Sequence, residues 1–128
     1  MENAKVAAIK DGYTMTFFGR KRHLSDEFRD KEEFKKGAEL RSMVNAIIQG
    51  TGADLMKLAM ISMHPQLKAI GARIVLTCHD EVLVSCPKNQ AKKAFAVVHR
   101  SMVEAGVNLS VPIEVDCKFG KTWSECHG

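Results

Sequence analysis

The sequence predicts an α+β fold, an antiparallel sheet with helices packed on one face, and three observations carry that prediction. Met56, Met60, Met63, Leu67 and Ile70 repeat at i, i+4, i+7, i+11 and i+14, one apolar stripe of a helix. In "RIVLTCHDEVLVSC", Arg73 to Cys86, two apolar strand-forming runs flank the triplet His79-Asp80-Glu81, the pattern of a hairpin. Lastly, "IEVDCKF" alternates Ile113, Val115, Cys117 and Phe119 against Glu114, Asp116 and Lys118, as a strand with one wet face does.

The remaining elements follow in chain order. "GYTMTFFGRKRHL" has β-formers on both sides of Phe18-Gly19, so it predicts a short hairpin whose second arm carries Arg20, Lys21, Arg22 and His23. Charged "SDEFRDKEEFKK" reads as an exposed loop entering a helix over about 38–48. "QGTGAD" then predicts a break: Gly50 suits the left-handed residue that ends a helix, while Thr51, with Asp54 three residues on, suits the cap of the next. Pro65 is expected to kink or shorten that second helix. Both runs of the hairpin, "IVL" and "VLV", are apolar at successive positions, which predicts cover on both faces. A third helix carries Ala91, Phe95, Val98, Met102 and Ala105 and stops at Gly106.

Composition narrows the function classes. The 128 residues, 45% hydrophobic and 27% charged, fit a single globular domain over 1–128 rather than a disordered chain. No apolar run approaches the ~20 residues that span a bilayer, and "MENAKVAAIKDG" lacks a signal peptide's apolar core, so no membrane partner and an intracellular location are expected. Cysteines 78, 86, 117 and 126 lack zinc-site spacing and read as free thiols. A net charge of +4, from 19 Lys and Arg against 15 Asp and Glu, permits a polyanionic partner without requiring one.

Three constellations bear on chemistry. Asp80 and Glu81 are adjacent at a turn between strands; two carboxylates about 4 Å apart repel by roughly 4 kcal/mol at an effective dielectric near 20, and a divalent cation reverses that sign. Turns also favour Asp, so a solvated tip is the plain alternative. Arg41, Asn45 and Gln49, four residues apart, share one strip of a helix. Asn45 stands among apolar neighbours, so it is either a core-edge residue bonded to a partner or one of a row of groups laid along a nucleic acid. The arm Arg20, Lys21, Arg22 and His23 is either a solvated edge strand or a phosphate contact. Trp123 is expected to pack the tail onto the core.

Taken together, "GYTMTFFGRKRHL", "RSMVNAIIQGTGADLMKLAM", "GARIVLTCHDEVLVSCP" and "LSVPIEVDCKFGKTW" resemble, in collinear order, the C-terminal part of the family A DNA polymerases, the polymerase I type. The resemblance implies part of the polymerase palm, with the hairpin at its floor. It implies that Asp80 is one of two aspartates binding catalytic Mg2+, that Glu81 supports it, and that His79 lies against the primer end. Arg41, Asn45 and Gln49 would contact primer and template near the nascent pair, and the arm Arg20, Lys21 and Arg22 would approach the DNA backbone. The implied function is DNA-directed DNA polymerisation by two-metal nucleotidyl transfer, in replication or repair, with primer-template DNA and dNTP as partners. Gly52 departs from the family, where Ala is usual.

The family's other aspartate segment, its fingers, thumb and exonuclease domains are absent from these residues. An N-terminal polymerase fragment is therefore an expected partner, supplied by a split gene or lost by truncation, and the chain alone is expected to be inactive and to self-associate through bare apolar surface. The competing reading is a non-catalytic nucleic-acid-binding or scaffolding remnant.

Overall fold

The computed structural model describes residues 2–127, and the chain forms two compact units, Met1–Asp54 and Leu55–Gly128. The first begins with helix α1, Glu2–Asp11, which the sequence does not announce: Ala8 is buried, but Val6 and Ile9 remain exposed. Strands β1, Tyr13–Met15, and β2, Lys21–His23, pair antiparallel with Tyr13 opposite His23 and Met15 opposite Lys21, as the sequence predicts. Gly19 closes their turn at φ +90, a backbone that a Cβ would oppose. The hairpin rests on the N-terminal part of α2, Glu33–Ala69, where buried Thr14 donates from Oγ1 to the Met43 carbonyl at 3.2 Å. Met43 and Val44 are buried in this unit.

Residues 25–32 are less open than their charge implies. Lys31 Nζ lies 2.6 Å from Glu39 Oε2, and Ser25 N donates to Glu39 Oε1 at 2.8 Å. The Lys31 ammonium, followed by the Ser25 amide, holds the Glu39 carboxyl far below the usual carboxylate range, at about 2.

The expected helix break at Gly50-Thr51 does not occur; α2 runs through it for 37 residues. Both cap signals have other uses. Thr51 Oγ1 donates to the Ile47 carbonyl at 2.6 Å, the back-bond of a helix-interior threonine. Asp54 is taken by the β1-β2 hairpin, and Gly50 is small because the hairpin sits on it: a Cβ there would lie 2.7 Å from Thr16 Cγ2. Pro65 also fails to end α2. It and Ile61, whose carbonyl loses the Pro65 donor, are both exposed, so solvent can serve the freed acceptor.

In the second unit the expected stripe packs as predicted: Met56, Met63 and Leu67 are buried along α2, with Ala59 between them. A 15-residue helix α3, Ala91–Ala105, adds Ala94 to the core, flanked by Val98 and Met102. Strands β3, Arg73–Cys78, and β4, Glu81–Ser85, form the second hairpin, and Ile74, Val82 and Val84 face this core. The fold is thus α+β, with its strands in two small antiparallel sheets. A short helix α4, Trp123–His127, follows.

Two expectations in this unit are corrected. β3 and β4 are not covered on both faces: Ile74, Val82 and Val84 pack on the core, while Val75 is 51% and Leu76 39% exposed. A bulge between Ile74 and Leu76 leaves Val75 without an opposite residue. Furthermore, "IEVDCKF" forms no strand, for want of a ladder partner among the described residues. Its alternation sorts only the first half of the segment: Ile113 and Val115 are half-buried and Glu114 and Asp116 exposed, but Cys117 and Phe119, expected on the dry face, are exposed too. Trp123 does not seal the tail; it is half exposed.

Candidate functional site

A two-residue turn, with Cys78 opposite Glu81, lifts His79 and Asp80 to the tip of the β3-β4 hairpin. Pairing of the flanking strands leaves the tip little freedom. His79 sits at φ +52, in the left-handed region that Gly adopts freely, that Asn, Asp and His adopt more often than other residues, and that branched side chains avoid. His79, Asp80 and Glu81 are all exposed, so neither carboxylate is turned inward to the main chain. His127 on α4 lies beside Glu81, with Nδ1 3.3 Å from Glu81 Oε2.

Asp80 and Glu81 also stand at the rim of a groove of about 540 Å³ whose walls include Phe95, Asp116, Trp123 and His127. Hard oxygen donors beside one another suit Mg2+, which takes one or two protein carboxylates and completes its shell with water or phosphate. Among the described residues no third His, Cys, Asp or Glu joins them in a group that holds a metal ion.

The strip on α2 is exposed throughout. Arg41, Asn45 and Gln49 point away from buried Met43 and Val44, and no hydrogen bond engages their side chains among the described residues. The partner expected for a buried Asn45 is not there because Asn45 is not buried. Three polar ends thus stand along one helix face with their capacity unspent.

The basic arm is more engaged than its charge predicts. Arg20 Nε donates to Asp54 Oδ1 at 2.9 Å and Nη2 to the Gly50 carbonyl at 3.3 Å. Lys21 Nζ lies 4.4 Å from the centre of the Tyr13 ring, and Arg22 Nη2 donates to Ser42 Oγ at 3.1 Å. Arg20, Lys21, Arg22 and Gln49 line one hollow of about 390 Å³ on this unit, so the structure gathers four of the expected nucleic-acid contacts around a single basic cavity. Sequence reasoning missed Thr16, Asp54 and His127. The first two meet across 38 positions, a distance no local pattern encodes, and Asp54 is disguised as a cap.

Comparison with known proteins agrees with this fold. The model of DNA polymerase family A matches residues 1–125. A thermostable DNA polymerase I of Thermus thermophilus is 40% identical over 119 residues, covering 93% of this chain and 14% of that protein. DNA polymerase I of Deinococcus radiodurans is 41% identical over 112 residues, covering 88% and 12%. Among solved structures, the POL domain of Pol1 from M. smegmatis, in complex with DNA primer-template and dNTP, superposes with a TM-score of 0.90 at 34% identity, over 99% of this chain and 22% of that one. The chain thus spans a small part of the length of the relatives it matches. On the family match across 125 residues and the relatives' identities, this chain belongs to DNA polymerase family A.

Proposed function

We propose that residues 1–128 are the C-terminal part of a polymerase palm and contribute to DNA-directed DNA synthesis once a segment bearing a second aspartate joins them. The observation that carries this reading is the hairpin tip: Asp80 and Glu81 are adjacent and exposed on a short two-strand support, with no main-chain donors consuming them. The solved neighbour's bound primer-template and dNTP support the same partners here.

In this reading Asp80 is a direct ligand of Mg2+, and Glu81, which lies 3.3 Å from His127 Nδ1, supports it. The ion, when bound, supplies Lewis-acid stabilisation of phosphoryl oxygens. His79 places its ring against the primer end. Arg41, Asn45 and Gln49 offer donors and acceptors to primer and template, which suits a helix face whose polar ends have no internal partners. Lys21 and Arg22 flank the basic hollow and neutralise backbone phosphates, with Arg20 in the same arm.

Primer extension by the chain, mixed with a polymerase fragment carrying the second aspartate and Mg2+, tests the proposal. Asp80→Ala is expected to abolish extension and to leave duplex binding within about twofold, since losing one carboxylate costs no phosphate contact. Equal extension by the variant would refute the assignment of Asp80. Duplex binding that never responds to Mg2+ or to the complement would point instead to a binding module.

A further inference from the structure

We infer that Asp54 and Thr16 act as positioning residues that lock Arg20 as a brace, so that Lys21 and Arg22 rather than Arg20 meet the DNA backbone. The inference rests on the nucleic-acid reading of the arm and changes the part played by one of its residues. Arg20 spends two of its three guanidinium nitrogens inside the chain, Nε on the Asp54 carboxylate and Nη2 on the Gly50 carbonyl, whereas Arg22 reaches only the neutral oxygens of Ser42, Nη1 on the carbonyl at 3.4 Å and Nη2 on Oγ at 3.1 Å, bonds that a phosphate can outcompete. The other oxygen of Asp54 accepts from Thr16 Oγ1 at 2.7 Å, and Thr16 Oγ1 in turn accepts from the Arg20 amide at 3.1 Å. A closed ring results: carboxylate, hydroxyl, main-chain amide, guanidinium. The Asp54 side chain is only 12% exposed, which strengthens each bond and leaves it little room to release its partners.

Two more contacts show what the ring fixes. The Phe17 amide, at the turn of the hairpin, donates to Thr51 Oγ1 at 3.1 Å, and the turn closes from the Thr16 amide to the Arg20 carbonyl at 2.9 Å. The start of β2 is thereby seated on α2 at Gly50, Thr51 and Asp54. Lys21 and Arg22 follow directly, facing the hollow that Gln49 shares. Freedom at Arg20 would pass straight to the two cations beyond it.

Duplex binding by the full chain decides the matter, because the two roles of Arg20 predict opposite signs. Asp54→Asn removes a negative charge and frees Arg20. Were Arg20 itself a phosphate contact, affinity would rise. As a brace it predicts a loss on the order of tenfold, the scale of one charged hydrogen bond. Arg20→Lys keeps the charge but not the fork, and the same loss is expected. The double variant should be weaker than either single one by no more than about twofold, since both cut one device. Asp54→Glu, which keeps the carboxylate, should recover most of the affinity, a rescue that a merely structural loss would not give.

Binding is read as anisotropy of a labelled primer-template, with the active fraction fixed by stoichiometric titration and helix content by far-UV circular dichroism. Should Asp54→Asn lose its helix, Arg20→Lys decides alone. Tighter binding by Asp54→Asn, or unchanged binding by Arg20→Lys, overturns the brace and leaves the nucleic-acid reading standing. No binding by the unaltered chain overturns that reading, and the brace with it.

Discussion

Replacing Gly50 and Gly52 by Ala, one at a time, should change stability in opposite directions although the two lie in one helix. An Ala is worth about 0.5–1 kcal/mol over Gly in a helix interior, through the backbone entropy that Gly loses. At Gly52 an ideal Cβ meets nothing within 4 Å, so Gly52→Ala should collect that gain in full. At Gly50 the same atom would stand 2.7 Å from Thr16 Cγ2 and 3.2 Å from Arg20 Nη2. The closer of the two, Thr16, cannot give way. Its hydroxyl is bonded to Asp54, its amide closes the turn, and the residue is only 7% exposed. Overpacking of this kind costs about 1–3 kcal/mol, so after the helical gain is deducted Gly50→Ala should lose about 1–2 kcal/mol. Urea unfolding followed by far-UV circular dichroism would then separate the two variants by about 2 kcal/mol. Should Gly50→Ala prove as stable as Gly52→Ala, the hairpin does not sit on the helix at that point, and close approach is not why position 50 holds a glycine.

Acid should act on the first unit through Glu39. Its carboxyl titrates at about 2 in the folded chain against an ordinary 4.5, so its contribution is complete above pH 4.5 and disappears as pH falls through about 2. Unfolding measured across that window should show a steeper loss for the unaltered chain than for Glu39→Gln; parallel curves would rule out this carboxylate as the source. On α3, Ser101 buries its hydroxyl with no hydrogen-bond partner among the described residues, so Ser101→Ala should raise stability by about 1 kcal/mol. A measured loss would mean that a bound water serves the oxygen.

Where tertiary structure follows local pattern, the sequence is a good guide. The stripe from Met56 to Leu67 is buried as its spacing predicts, because a helix face of that kind has one way to leave water. Both hairpins fall at their expected positions, since turn geometry is set by a few adjacent residues. The failures share a cause. "QGTGAD" contains sound cap residues, yet Asp54 is bonded to a hairpin 38 positions away, and that bond outweighs the local preference. "IEVDCKF" has the alternation of a strand, but a strand needs a neighbour that alternation cannot supply. Helix α1 offers no apolar stripe to notice, as its exposed Val6 and Ile9 attest. At the candidate site, the residue types of the tip and strip are plain from the letters. Their exposure, and the capture of Arg20 by Asp54, are not.

The left-handed backbone at His79 bears on what substitutions the hairpin can tolerate. A survey of all twenty residues at this position, selected for folding alone, should enrich glycine and asparagine and drive out valine, isoleucine and threonine, whose branched Cβ suffers most there. Selected for primer extension instead, the survivors report what the imidazole is wanted for. The gap between the two rankings measures how much comfort the fold gives up, at one position, for the sake of chemistry.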